Sequence, residues 1–162
     1  MSRLQAEIRQ SKPFGSLEEE ALLALARTND QLQRHYDEFF KPYHLTGTQY
    51  NALRILRGAG EAGLPCTEIA ERMINRDPDI TRLLARLEQR GFCTRVRDDN
   101  DRRVIFGRIT PAGLKLLREI DQPIQALSHR LVSHMGEGAL RSLIRLLDKI
   151  RDSSKQATIP AQ

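Results

Sequence analysis

Between residues 79 and 108 the chain carries eight arginines against five acidic side chains, and where they stand decides what they can do. Ile80, Leu83, Leu84 and Leu87 are spaced i, i+3, i+4 and i+7, the inward stripe of a helix. Thr81, Arg82, Ala85, Arg86 and Gln89 then face away from that stripe. This face offers hydroxyl, guanidinium and amide donors at helical spacing. Arginine's planar fork matches phosphate oxygens and base edges, and a helix fits the major groove of B-DNA, about 12 Å wide. Farther on, Asp101-Arg102-Arg103 stands in a polar turn between two β-rich runs, where an arginine suits the narrower and more negative minor groove. The chemistry implied is hydrogen bonding and charge neutralisation. Read on charge alone, a solvated basic face with no partner is the alternative.

Other reactive groups form no recognisable site. The four histidines, His35, His44, His129 and His134, show no paired ligand spacing, and no metal is expected. There is no nucleophile-base-orienter arrangement and no glycine-rich phosphate loop, so neither an enzymatic activity nor a cofactor is expected. The two cysteines, Cys66 and Cys93, lie in no C-x-x-C pattern and read as reduced thiols. Cys66 falls in the first turn of a short helix, where the dipole can lower a thiol pKa, but it reads as a small buried or half-buried thiol; Cys93 falls on a strand and reads as packing.

The elements that must position these groups follow from local grammar. Ser16 with Glu19 forms a capping box that opens a long helix, with Leu17, Ala21, Ala24, Thr28 and Leu32 on one stripe, ending at Phe40 before Lys41-Pro42. Thr46 with Gln49 is a second box, flanked by Leu45 and Tyr50 as a hydrophobic staple, and its helix turns Leu53 and Leu56 inward. Gly58, Gly60 and Gly63 close that helix. Pro65 opens the next, which bears Ile69 and Met73. Asp77 caps the donor-bearing helix, Pro78 is its first residue and Gly91 stops it. Residues 92–97 and 104–109 form a hairpin across Asp98-Asp99-Asn100-Asp101. Thr110-Pro111 caps a helix with Leu117, Ile120, Ile124, Leu127 and Leu131 along a seam that Pro123 should kink or break. A last helix, from about Glu137 to Asp152, carries Leu140, Leu143, Leu147 and Ile150, and the tail after Ser153 reads as frayed.

At 162 residues, with 40% hydrophobic and 29% charged side chains, the chain has the length and balance of one compact soluble unit. No apolar run approaches the roughly 20 residues needed to cross a bilayer. The first residues lack the apolar core of a signal peptide, so a cytoplasmic protein is expected. The net charge of +5 is carried mostly by Arg.

Taken together, Leu45-Thr46-Gly47-Thr48-Gln49-Tyr50, Glu68-Ile69-Ala70-Glu71-Arg72, the run from Thr81 to Gly91, and above all Asp101-Arg102-Arg103 followed by Ile109-Thr110-Pro111-Ala112-Gly113 resemble the MarR family of winged-helix regulators. The resemblance covers nearly the whole chain. It implies a mainly α fold, an α+β winged helix-turn-helix, with a helical dimerisation region built from N- and C-terminal helices plus a two-stranded β wing. The expected division is 1–44 for the N-terminal dimerisation helix, 45–109 for the DNA-binding region and 110–162 for the C-terminal dimerisation helices and tail. It further implies a homodimer, a palindromic double-stranded operator and a repressor role. Thr81, Arg82 and Arg86 are carried over as groove or phosphate contacts, Arg102 as a phosphate contact, and Asp101 as the residue that orients Arg103 at the wing tip. The plainer reading of Asp101 is a turn residue satisfying its own backbone. Ala85 stands where many relatives have an acidic residue, and Asp77-Pro78-Asp79 replaces a commoner Ser- or Gly-rich lead into the helix.

A release signal is the remaining expectation. In the family, small aromatic or phenolic anions often bind between the dimerisation helices and the winged domain. His35, Tyr36, Phe39, Phe40 and Tyr43 gather at the end of the first long helix, with Arg27 and Arg54 as candidate partners for a carboxylate. Ordinary dimer core is the alternative for these aromatics. A winged-helix ligand-binding or protein-interaction module without tight DNA binding is the alternative for the whole chain.

Overall fold

The computed structural model describes residues 2–75 and 79–157. The chain separates into two compact units, Met1–Leu114 and Lys115–Gln162. The first opens with a short helix that the sequence pattern does not announce, α1 (Arg3–Glu7), capped by Ser2, whose hydroxyl accepts the Gln5 N–H at 3.3 Å. Helix α2 (Leu17–Phe40) follows. Ser16 caps it by accepting the Glu19 N–H at 3.1 Å, but the Glu19 carboxylate reaches back one residue further than a capping box requires, to the Gly15 N–H at 2.7 Å. At its far end Lys41–Tyr43 tightens into a 3₁₀ turn that His44 ends in the left-handed conformation.

Helix α3 (Gly47–Ala59) has the full capping box of Thr46 and Gln49, and its buried face is Tyr50, Ala52, Leu53 and Leu56. Gly58 lies inside this helix rather than closing it; the reversal is made by the 3₁₀ turn Gly60–Ala62 and by Gly63. Pro65 does not open the next helix. It belongs to a two-residue strand, β1 (Leu64–Pro65), and sits at the N-cap of α4 (Cys66–Arg72), which buries Ile69, with Met73 buried just beyond. Helix α5 (Ile80–Gln89) leads into the hairpin of β2 (Cys93–Arg97) and β3 (Ile105–Ile109).

The sheet is antiparallel with the order β1-β3-β2, so the expected two-stranded wing gains a third short strand at its base. The register runs from Cys93 opposite Ile109 to Arg97 opposite Ile105, and Leu64 pairs with Gly107. Glycine is required at that crossing. Gly63 has φ +71°, and a Cβ there would stand 2.4 Å from the Gly107 carbonyl oxygen. Leu53, Leu56, Ile69, Leu84 and Leu87 are fully buried and form the core of this unit.

Helix α6 (Pro111–Val132) starts in the first unit and continues through the second without a break at Pro123. A proline in a helix interior costs about 3 kcal/mol. Burying Leu117, Ile120 and Leu127 returns about 1.5–3 kcal/mol each, which outweighs it. The turn Ser133–Met135 leads to α7 (Gly136–Gln156), which runs past Ser153 where the sequence suggests fraying. Among the described residues no helix is long and apolar enough to cross a membrane.

Candidate nucleic-acid interface

Helix α5 is defined at both ends by backbone chemistry. Its cap is Asp79, whose carboxylate accepts the Arg82 N–H at 2.9 Å. The expected roles of Asp77 and Pro78 lie outside the described residues. The Asp79 side chain is thus turned onto its own helix, where the N-terminal dipole favours an anion. At the other end Gly91, with φ +74°, donates to the Glu88 carbonyl at 2.8 Å, while Phe92 donates to that of Leu87 at 3.0 Å. That pair of bonds is a Schellman close. Leu83, Leu84 and Leu87 are buried, Ile80 and Ala85 are half-buried, and Thr81, Arg82, Arg86 and Gln89 are exposed.

The wing tip is held by carboxylates bound to backbone. Asp98 accepts the N–H groups of Asn100 and Asp101 at 2.9 and 2.8 Å, and Asp101 accepts the Arg103 N–H at 3.0 Å. The carboxylate of Asp101 therefore shapes the turn that presents Arg103 and touches its backbone rather than its guanidinium. Arg102 and Arg103 are exposed at this tip. Among the described residues no side-chain or backbone acceptor meets the guanidiniums of Arg82, Arg86, Arg102 or Arg103.

Sequence reasoning missed the pair that fixes the wing against α5. Glu88 accepts the Arg95 backbone N–H at 2.7 Å and its Nε at 2.8 Å, with Nη2 at 2.8 Å as well. The same guanidinium donates from Nη1 to the Thr81 carbonyl at 3.4 Å, so one side chain of β2 bridges two turns of α5. Burial pushes the Glu88 carboxyl up, but the hydrogen bonds and charge of Arg95 outweigh it and leave the pKa lowered. The only signal was a Glu and an Arg on either side of the Gly91 stop, and their separation of seven carries no helical meaning because the helix ends before Arg95.

At the end of α2, Phe40 is core, 2% exposed, and its ring lies 4.9 Å from that of Tyr50. Phe39 meets Phe40 at 5.1 Å and Tyr43 at 5.7 Å. Arg54 stands over the Tyr50 ring at 5.8 Å, joining this cluster. His35 is exposed and Tyr36 half-buried on the preceding turns of α2. Arg27 is elsewhere: it pairs with Asp30 at 3.7 Å on the same helix and stands twelve residues before Phe39, about 18 Å along the axis. The thiols are not activated. Burial raises the Cys66 pKa against a smaller opposing effect of Arg95, so the thiol is the half-buried one that the sequence favours and not one activated by the helix dipole. Cys93, 1% exposed, is pushed up to about 11 by burial and by the Glu88 charge.

The chain is similar to known proteins that carry this arrangement. The MarR family model matches residues 45–105, which span α3 to the first residue of β3. A solved MarR transcription factor from Planctomyces limnophilus is 39% identical, with 84% of this chain and 98% of that chain covered and a TM-score of 0.66. The homoprotocatechuate degradative operon repressor of Escherichia coli is 24% identical over 140 residues, covering 85% of this chain and 93% of its own length. The structure of a cysteine-to-serine mutant of MarR from Escherichia coli complexed with operator DNA shares the fold, at 24% identity, with 92% and 99% of the two chains covered and a TM-score of 0.71. With its winged helix-turn-helix in place, the chain belongs to the MarR family of transcriptional regulators.

Proposed function

We propose that the chain is a homodimeric repressor that binds a palindromic operator, with each α5 in a major groove and each wing tip in the flanking minor groove. The observation that carries this reading is the set of exposed guanidiniums on α5 and the wing tip, Arg82, Arg86, Arg102 and Arg103, which meet no acceptor among the described residues. Glu88 and Arg95 hold helix and wing together as one reading head. Thr81, Arg82 and Arg86 contact base edges or phosphates, Arg102 a phosphate, and Arg103 the minor groove from the turn that Asp101 shapes. A solved relative of the same fold is described as a complex with operator DNA.

The dimer is supported by apolar surface that each terminal region leaves open. On α2, Leu17 is 78% and Leu22 58% exposed; on α7, Ile144 and Leu146 are both 57% exposed. A second copy covering these faces is their natural occupant. In this reading residues 1–44 and 110–162 serve dimerisation and 45–109 bind DNA. Two-fold symmetry then puts the half-sites about one helical turn apart. The aromatic cluster of Phe39, Tyr43 and Tyr50 with Arg54 suits a small aromatic acid, and one relative is by name the repressor of homoprotocatechuate degradation. His35, Tyr36 and Arg27 are the outlying candidates. The function is regulatory rather than enzymatic, and the protein works in the cytoplasm.

Fluorescence anisotropy across a salt series, with the protein's own upstream DNA and an unrelated duplex, tests the reading. Arg103→Ala should weaken binding to both duplexes and lower the salt slope by about 1, whereas Arg86→Ala should also alter sequence preference. Unchanged affinity and slope in Arg103→Ala would remove the wing from the interface. Weak and equal binding of the wild type to both duplexes would favour a ligand-binding or protein-interaction module. Thermal stabilisation by aromatic acids tests the effector, and none by any of them would count against an effector of that class.

A further inference from the structure

Arg90 lies just past the last residue of α5, outside the face assigned to DNA, yet it is held on three sides. Its Nη1 donates to the His44 carbonyl at 2.5 Å and its Nη2 to the Tyr43 carbonyl at 3.1 Å. Its Cζ stands 4.7 Å from the centroid of the Phe92 ring. The two carbonyls end the 3₁₀ turn Lys41–Tyr43, where His44 has φ 50° and ψ 36° and the helical hydrogen-bond ladder stops. Carbonyls at such an end are unsatisfied and partly negative, so a cation that donates two bonds is the fitting partner. A planar fork meets two successive carbonyls in fixed directions; an ammonium supplies charge without that geometry.

The contact joins two parts of the fold that are distant in sequence. On one side, the Tyr43 ring packs tilted against Phe39 at 5.7 Å, and Phe39 meets Phe40 edge-on at 5.1 Å, so the gripped carbonyls move with the aromatic cluster. On the other, Arg90 follows Gln89 directly and Phe92 closes α5 through its bond to Leu87, so the fork acts on the end of that helix. Asp79 caps the opposite end, and Arg95 spans the helix from Thr81 to Glu88. We propose that Arg90 is a positioning residue for operator binding: it sets the C-terminal end of α5 against the Phe39–Tyr43 cluster and passes any rearrangement of that cluster to the helix. The inference rests on the reading of α5 as the DNA-reading helix.

The test combines operator affinity with a reporter on the cluster. The only tyrosines are Tyr36, Tyr43 and Tyr50, so 3-fluorotyrosine labelling gives three ¹⁹F resonances, assigned by single Tyr→Phe variants. In the wild type, saturating operator DNA should shift the Tyr43 resonance. Arg90→Ala should weaken operator binding about tenfold, the order expected when a charge-assisted pair of hydrogen bonds is lost, and should abolish that shift even at saturating DNA. Arg90→Lys should recover only part of both, and it stands in as the test variant if Arg90→Ala does not fold. Wild-type affinity in Arg90→Ala, or a Tyr43 shift that persists in it at saturation, overturns the proposal. Arg86→Ala separates the two ideas: if it binds operator as wild type, the assignment of α5 fails. If it weakens binding while Arg90→Ala does not, only the positioning role fails.

Discussion

Removing the carboxylate of Glu88 should loosen the wing before it does anything else. In the native chain that carboxylate receives the Arg95 backbone N–H at 2.7 Å and two guanidinium nitrogens at 2.8 Å, with the Arg95 and Glu88 side chains 25% and 33% exposed. A hydrogen bond to a charged group in the interior is worth about 1.5–3 kcal/mol, and partial exposure discounts an ion pair toward the surface value of at most about 1 kcal/mol. Glu88→Ala also leaves the Arg95 N–H half-buried with its acceptor gone. The net expectation is about 2 kcal/mol of lost stability, or a fall in Tm of about 4–8 °C for a chain of this size. Thermal melts followed by circular dichroism measure it, at one fixed protein concentration because the proposed dimer makes Tm depend on concentration. The pH dependence has a definite sign. The Glu88 pKa is lowered from 4.5 in the folded state, so its contribution is complete above that value and is lost as pH falls through the folded pKa. The wild-type advantage over Glu88→Ala should therefore hold from neutral pH down to the mid-fours and shrink below. A double-mutant cycle with Arg95→Ala completes the case, and a coupling energy below about 0.5 kcal/mol would refute the reasoning.

Two further perturbations have outcomes fixed by single distances or burials. Gly63→Ala forces a side chain into a backbone region that suits glycine, with its Cβ 2.4 Å from the Gly107 carbonyl oxygen. It should cost about 3 kcal/mol or more in denaturant unfolding, and a loss under about 1 kcal/mol would mean that β1 moves freely off β3. Alkylation at pH 7 should leave Cys93 untouched until the chain unfolds, since its thiol is 1% exposed with a pKa of about 11. Cys66 should react more slowly than a free thiol, because burial raises its pKa and lowers its thiolate fraction; rapid native-state labelling of either cysteine, read by mass spectrometry, would contradict those environments.

The parts of the fold visible in the sequence are those set within a few residues. The Thr46–Gln49 box, the Leu83, Leu84 and Leu87 stripe, the Gly91 stop and the Thr110 cap each depend on groups no more than five positions apart. What stays hidden depends on partners far along the chain. β1 is two residues long and exists because Gly63 and Gly107 let two backbones approach, which no alternation of polar and apolar residues announces. The cap of α5 is also poorly legible, because Asp77 and Asp79 are equally good acceptors in sequence and only the helix start at Ile80 marks Asp79 as the cap. Pro123 reads as a break because its local cost is visible, whereas the burial of Leu117 and Ile120 that offsets it is not. In the site, the exposed donors of α5 can be inferred by elimination, but the Glu88–Arg95 bridge is tertiary and cannot.

The arginines between residues 79 and 108 illustrate why composition alone is a weak guide and position a strong one. Arg95 is bound to Glu88 and Thr81, Arg90 to Tyr43 and His44, and Arg108 to the Ala62 carbonyl at 3.2 Å, so these cations already serve the fold. Arg82, Arg86, Arg102 and Arg103 are fixed through their backbones, by the Asp79 cap, the body of α5 and the Asp101 turn, while their guanidiniums stay in solvent. A side chain whose backbone is anchored loses no backbone freedom when it meets a phosphate, and because its charge is unengaged it breaks no contact of the fold; ordering its rotamers, at about 0.5–1.5 kcal/mol, is the remaining cost. The same sorting predicts different failures. Losing an arginine of the first group changes where the helix and wing stand, and losing one of the second changes only what they touch.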